Sequence, residues 1–73
     1  MDINTLLFDA LKAKYKAEEI DAIARLSIYA KNAVGIGEHP QITEEMDKLV
    51  QQYVDAIEKH SAVKEIEGLL QKV

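Results

Sequence analysis

Among the residues in this chain with acid–base, ligating or nucleophilic chemistry to offer are His39, His60, Ser27 and Ser61, and their spacing gives them little to do together. Nucleophilic catalysis needs an activated Ser or Cys held against a base and an orienting group. There is no cysteine, and Ser61 follows His60 directly. Adjacent helix positions point about 100° apart, so these two cannot form a dyad with each other. Helical metal sites place ligands on one face, as in Glu-x-x-His, yet the residue three before His60 is Ile57, and His39 is distant in sequence. The acidic runs Glu18-Glu19-Asp21 and Glu44-Glu45-Asp47 read as solvated helix faces rather than hard-cation sites. The expectation is a protein that is not an enzyme, with no catalytic residues, no metal and no cofactor.

One stretch has a more distinctive chemistry. Val34-Gly35-Ile36-Gly37-Glu38-His39-Pro40 concentrates glycine, histidine and proline. The glycines permit φ > 0, and Pro40, lacking an N–H, suits the first turn of a following helix. A Gly-x-Gly run before a helix start can present backbone N–H groups to an anion. It is neither a Walker loop, since the Gly-Lys-Ser/Thr ending is absent, nor a dinucleotide fingerprint, since position 40 is proline. Arg25, Lys31 and His39 could add positive charge, and Tyr15 and Tyr29 could stack on a base. The candidate ligand- or partner-binding set is therefore Tyr15, Arg25, Tyr29, Lys31, Gly35, Gly37 and His39. The alternative, that Gly35–Pro40 is only a turn, stays open.

The elements that would position these residues are two long helices. Residues 2–31 contain no glycine or proline and are mostly strong helix formers. Asp2 is placed to cap the start, and Lys31 and Asn32 suit the end. After a loop over 32–40, a second helix spans about 41–72. Its central stripe is Ile42, Leu49, Ala56, Val63 and Leu70, seven residues apart, the repeat of a coiled-coil-like seam. Met46, Val50, Tyr53 and Ile57 widen it in the first half, Ile66, Leu69 and Val73 in the second. His60 borders the seam as a packing histidine. Glu44 with Lys48 and Asp55 with Lys59 are spaced for helical ion pairs. Gly68 implies either fraying or a close contact that needs a missing side chain. The expected fold is all-α, a single domain over 1–73: an antiparallel two-helix hairpin.

The first helix carries two apolar stripes. Ile3, Leu6, Ala10, Ala13, Ala17, Ile20 and Ala24 share one side, with alanines that would let another helix approach closely. Phe8, Tyr15, Ala22 and Tyr29 recur every seven residues on the other, joined by Leu11 and Leu26. One partner helix cannot cover both. The expectation is that Phe8, Leu11, Tyr15, Ala22, Leu26 and Tyr29 form an interface with another copy of the chain, making a homo-oligomeric helical bundle.

Composition supports an assembly. At 73 residues and without disulfides, a single hairpin buries little, and a partner chain is the remaining device. A formal charge of −4 argues against gripping a nucleic-acid backbone. No apolar window approaches the roughly 20 residues of a membrane span, and the first residues lack a basic signal-peptide start. A soluble, intracellular protein is expected, with no membrane partner.

The string from Asn32 to Gln41, with Glu44-Glu45-Met46-Asp47-Lys48-Leu49 after it and Asp9-Ala10-Leu11-Lys12-Ala13-Lys14-Tyr15 before it, resembles small proteins encoded by tailed bacteriophages that carry a Gly-Ile-Gly-Glu-His-Pro loop between two helices. The resemblance covers roughly two thirds of the chain and fades past Gln51. It implies a viral protein acting in the host bacterial cytoplasm or in a virion, and supplies no residue roles. The expected function is a non-enzymatic accessory protein that binds and sequesters a host protein or a small anionic, nucleotide-like immune signal, and so inhibits host defence. The alternative is a minor structural or decoration protein of the virion.

Overall fold

The computed structural model describes residues 2–36 and 41–72, the side chains of 32–36 excepted. Two helices, α1 (Ile3–Ile36) and α2 (Gln41–Gln71), account for nearly all of it. Asp2 caps α1: its carboxylate accepts the Asn4 N–H at 3.1 Å, and its carbonyl accepts the Leu6 N–H at 3.2 Å. The run of Ala, Leu, Lys and Glu then carries the helix without interruption.

α1 ends later than expected. It continues through Asn32 and Gly35 to Ile36, so Lys31 is not in its last turn. One glycine costs a helix about 1 kcal/mol relative to alanine, too little to stop a chain already propagating. Residues 37–40, and with them the turn proposed around Gly37, His39 and Pro40, lie outside the described residues.

Three pairs of contacts establish that the helices run antiparallel and set their register. Lys12 meets Glu67, Tyr15 meets Lys59, and Asp21 meets Gln52, so advancing along α1 retreats along α2. The result is a hairpin measuring 55 × 19 × 13 Å. Its radius of gyration is 16.7 Å, against about 11 Å for a compact domain of this length, so the molecule is a rod.

Among the described residues the buried set is Ala22, Leu49, Ala56 and Val63. Leu49, Ala56 and Val63 are the heptad seam read from the sequence; Ile42, Met46, Tyr53 and His60 are half-buried along it. The seam is narrower than expected. Val50, Ile57, Ile66 and Leu69 stay exposed, and so does Leu70, because one facing helix covers only a narrow stripe.

The two stripes of α1 are exchanged relative to the sequence reading. Phe8, Tyr15, Leu26 and Tyr29 are half-buried, Ala22 has no exposed surface, and Leu11 sits at the edge at 37% exposure. These are the residues assigned to a second copy, and here they face α2. The alanine-bearing stripe faces away. The register explains the choice: Tyr15 lies level with Lys59, between Ala56 and Val63, while Ala22 lies level with the turn between Leu49 and Ala56. Large side chains on α1 thus meet small ones on α2 and the reverse, and the aromatic face has more apolar area to bury than the alanine face.

Candidate functional site

The helix–helix interface carries polar groups whose partners are not evident from local spacing. Gln52 of α2 reaches across and donates through Nε2 to the Glu18 carbonyl at 2.8 Å and to Asp21 Oδ2 at 3.0 Å. The same carboxylate accepts from Arg25 Nε at 3.1 Å. The Gln52 hydrogen bond, followed by the Arg25 bond and charge, holds the Asp21 carboxyl below its ordinary range. Nearer the N-terminus of α1, Lys12 bridges the helices: Nζ lies 3.0 Å from Glu67 Oε1 and 3.3 Å from Asp9 Oδ1. Glu67, then Asp9, raise the Lys12 ammonium above its usual range. At 14% side-chain exposure Glu67 is the most enclosed of these charges, and no buried side-chain polar atom among the described residues lacks a partner.

These bonds account for the first acidic run and correct the expected helical pairs. Glu19 holds Lys16 at 2.8 Å and raises its pKa, Asp21 serves the Gln52 contact, and Glu18 contributes its backbone. Among the described residues no group of three or more acidic or histidine side chains has an arrangement that could hold a metal ion. Lys48 pairs with Glu45 at 3.6 Å instead of Glu44. Asp55 accepts from Gln51 at 2.8 Å, while Lys59 lies 5.9 Å above the Tyr15 ring. A cation over an aromatic face across the interface replaces the ion pair expected along α2.

The proposed anion set does not converge within one chain. Tyr15 and Tyr29 are fourteen residues apart on a continuous helix, about 21 Å at its rise per residue. Tyr15 is already covered by Lys59, and Arg25 is committed to Asp21. Lys31 is exposed but lies about 240° around the helix from Arg25. Gly35 is described only as helix backbone, and Gly37 and His39 lie outside the described residues. Any cleft using these groups together has to be built from more than one copy.

What the hairpin does present is apolar surface. Thirteen large aliphatic residues among those described are exposed, against four buried residues that include two alanines. Helical periodicity had marked the seam but gave no count of how much would remain uncovered. At the open end of the hairpin a groove of about 670 Å³ has an apolar floor of Leu7, Phe8, Leu11 and Leu70 and a polar rim that includes Asp2, Asn4 and Gln71. Glu67, tied to Lys12, also lines it. No described helix is long and apolar enough to cross a membrane. No protein-family model matches the chain, and neither a curated protein nor a solved structure is significantly similar to it.

Proposed function

We propose that this chain is a non-enzymatic interaction protein of phage type that works as a homo-oligomer and binds and sequesters a target, either a host protein or a small anionic, nucleotide-like signal of host defence. The observation that carries the reading is the excess of exposed over buried aliphatic side chains on a rod with a four-residue core. Surface of this kind, distributed along both helices and rimmed by charges, is the mark of a protein completed by contact with others. The phage assignment and the choice of target rest on the resemblance of the Asn32–Gln41 string. The scattering of Tyr15, Arg25, Tyr29 and Lys31 along α1 directs a small ligand to clefts between copies, where residues from different chains meet.

The test is light scattering coupled to size exclusion on the purified protein, followed by native mass spectrometry of what travels with it. The expected result is a multimeric mass carrying a bound small anion or host protein. A monomer that carries nothing, and that binds neither cyclic nucleotides nor a protein from the bacterial host, overturns the proposal.

A further inference from the structure

The outer face of α1 has a regularity that the hairpin does not use. Ile3, Leu6, Ala10, Ala13, Ala17, Ile20 and Ala24 follow one another in alternating steps of three and four without a break. That stepping is the signature of a seam between two helices, and α1 already spends its other seam on α2. Every member of the outer set is exposed, with Ile3 at 69%, Leu6 at 46% and Ile20 at 55%. From Ile3 to Ala24 it runs about 32 Å at the helix rise. We infer that a second copy of this chain docks its own α1 along this seam.

The occupant follows from the charges on the edges of the stripe. One edge carries Asp9, Lys16 and Ile23; the other carries Leu7, Lys14, Asp21 and Ile28. A partner of uniform charge meets repulsion on part of either edge. A copy of α1 does not. In a parallel pair, edge residues five apart face each other across the seam, which sets Asp9 against Lys14, Lys16 against Asp21, and Ile23 against Ile28. In an antiparallel pair with Ala10 level with Ala13, Asp9 faces Lys16. Asp9, Lys16 and Asp21 keep 57%, 59% and 45% side-chain exposure beside their intrachain partners, so each remains open to a second chain. Small residues at the centre of the stripe let the helices approach closely, and the larger Ile3, Leu6 and Ile20 close its ends.

This inference rests on the interaction-protein reading for its biological use, and its test separates the two. Ala13→Glu places a charge in the middle of the seam at a position that is exposed within the hairpin. Circular dichroism should show an unchanged hairpin, while sedimentation shows self-association weakened by about tenfold or more. Because the chain has no cysteine, engineered thiols report contacts cleanly. In an oxidised mixture of Ala10→Cys and Ala13→Cys chains, a parallel pair links like with like and an antiparallel pair links one variant to the other. Either pattern supports the seam, with Glu65→Cys on the far side of α2 as the unlinked control. A wild-type monomer, an Ala13→Glu protein of undiminished mass, or cross-links at Glu65→Cys alone would overturn it. An oligomer that Ala13→Glu takes apart upholds the seam even where no target is found. A target bound by a monomeric wild type removes the seam and the homo-oligomeric part of the proposed function, and leaves target binding standing.

Discussion

The two faces of α1 are built on the same repeat and meet opposite fates. Inward, Phe8, Tyr15, Ala22 and Tyr29 share a heptad position and pack on α2; outward, the stripe from Ile3 to Ala24 stays in solvent. Periodicity cannot separate them, because both are apolar at helical spacing. Bulk separates them. The seam of α2 is small at Ala56 and Val63 and larger at Leu49, so it accepts tyrosine and alanine in alternation. Polar groups then hold that register: in this arrangement Gln52 reaches Glu18 and Asp21, and Glu67 reaches Lys12. The lesson is that a face is chosen by complementarity with a particular partner.

The strongest way to break the comparison is to empty the seam on the α2 side. Leu49 is the largest of the four core residues, at 8% exposure. Leu49→Ala should cost about 2–5 kcal/mol in urea or thermal unfolding, since neighbouring turns cannot fully collapse into the space. A loss below about 1 kcal/mol would mean that the inner face is not the stabilising one.

Overfilling compares the two faces of α1 directly. Ala22 has no exposed surface, so Ala22→Leu should destabilise the hairpin by about 1–3 kcal/mol. Ala17→Leu, the same change on the outer face, should stay within about 0.5 kcal/mol in unfolding measured at concentrations where the hairpin is a monomer. Equal effects would erase the distinction between the faces.

How much of this was legible in the sequence follows the same division. The helices, their antiparallel pairing and the Leu49-Ala56-Val63 seam could be read because each leaves a local or periodic trace. The inward face of α1 could not, because that choice depends on side-chain volumes on α2. The Lys12–Glu67 and Asp21–Gln52 contacts span fifty-five and thirty-one residues of sequence, and no local spacing reports them. The extension of α1 past Asn32 leaves no local trace, because Asn32 and Gly35 are residue types that commonly end helices and the propagating helix runs through them. For the candidate site, the sequence identified residue types able to meet an anion, and their separation follows from their places on one continuous helix; the cover of Tyr15 by Lys59 from the facing helix required coordinates.

Acidification sharpens the account of register. The folded protein holds Asp21 below its ordinary value of 3.8, through Gln52 first and Arg25 second. A depressed carboxyl contributes stability that is present above the unfolded pKa and is lost as pH falls through the folded one. The hairpin should therefore melt at a progressively lower temperature as pH drops below about 4. Gln52→Leu should shrink the part of that dependence due to Asp21, and at neutral pH should cost about 1 kcal/mol for the hydrogen bond lost to the Glu18 carbonyl. The contribution of Lys12 runs the other way: its raised pKa gives stability that is present below 10.5 and lost as pH climbs through the higher folded value. An acid limb unchanged in Gln52→Leu would show that Asp21 is not held by that contact.

The smallest expected effect lies at Gly68, where the sequence left open a close approach of another element. A Cβ built there meets nothing within 4 Å, and α2 continues past it to Gln71. No intrachain packing requires the glycine, so within the hairpin it acts only to loosen the last turns of the helix. Gly68→Ala should stabilise the hairpin by about 0.5–1 kcal/mol through reduced backbone freedom in the unfolded chain. It should also slow amide exchange over the last turn of α2, beside the open-end groove formed with Leu70 and Gln71. A destabilised Gly68→Ala would instead identify a contact that one hairpin does not make, and would place this end of α2, rather than the outer face of α1 alone, against a second chain.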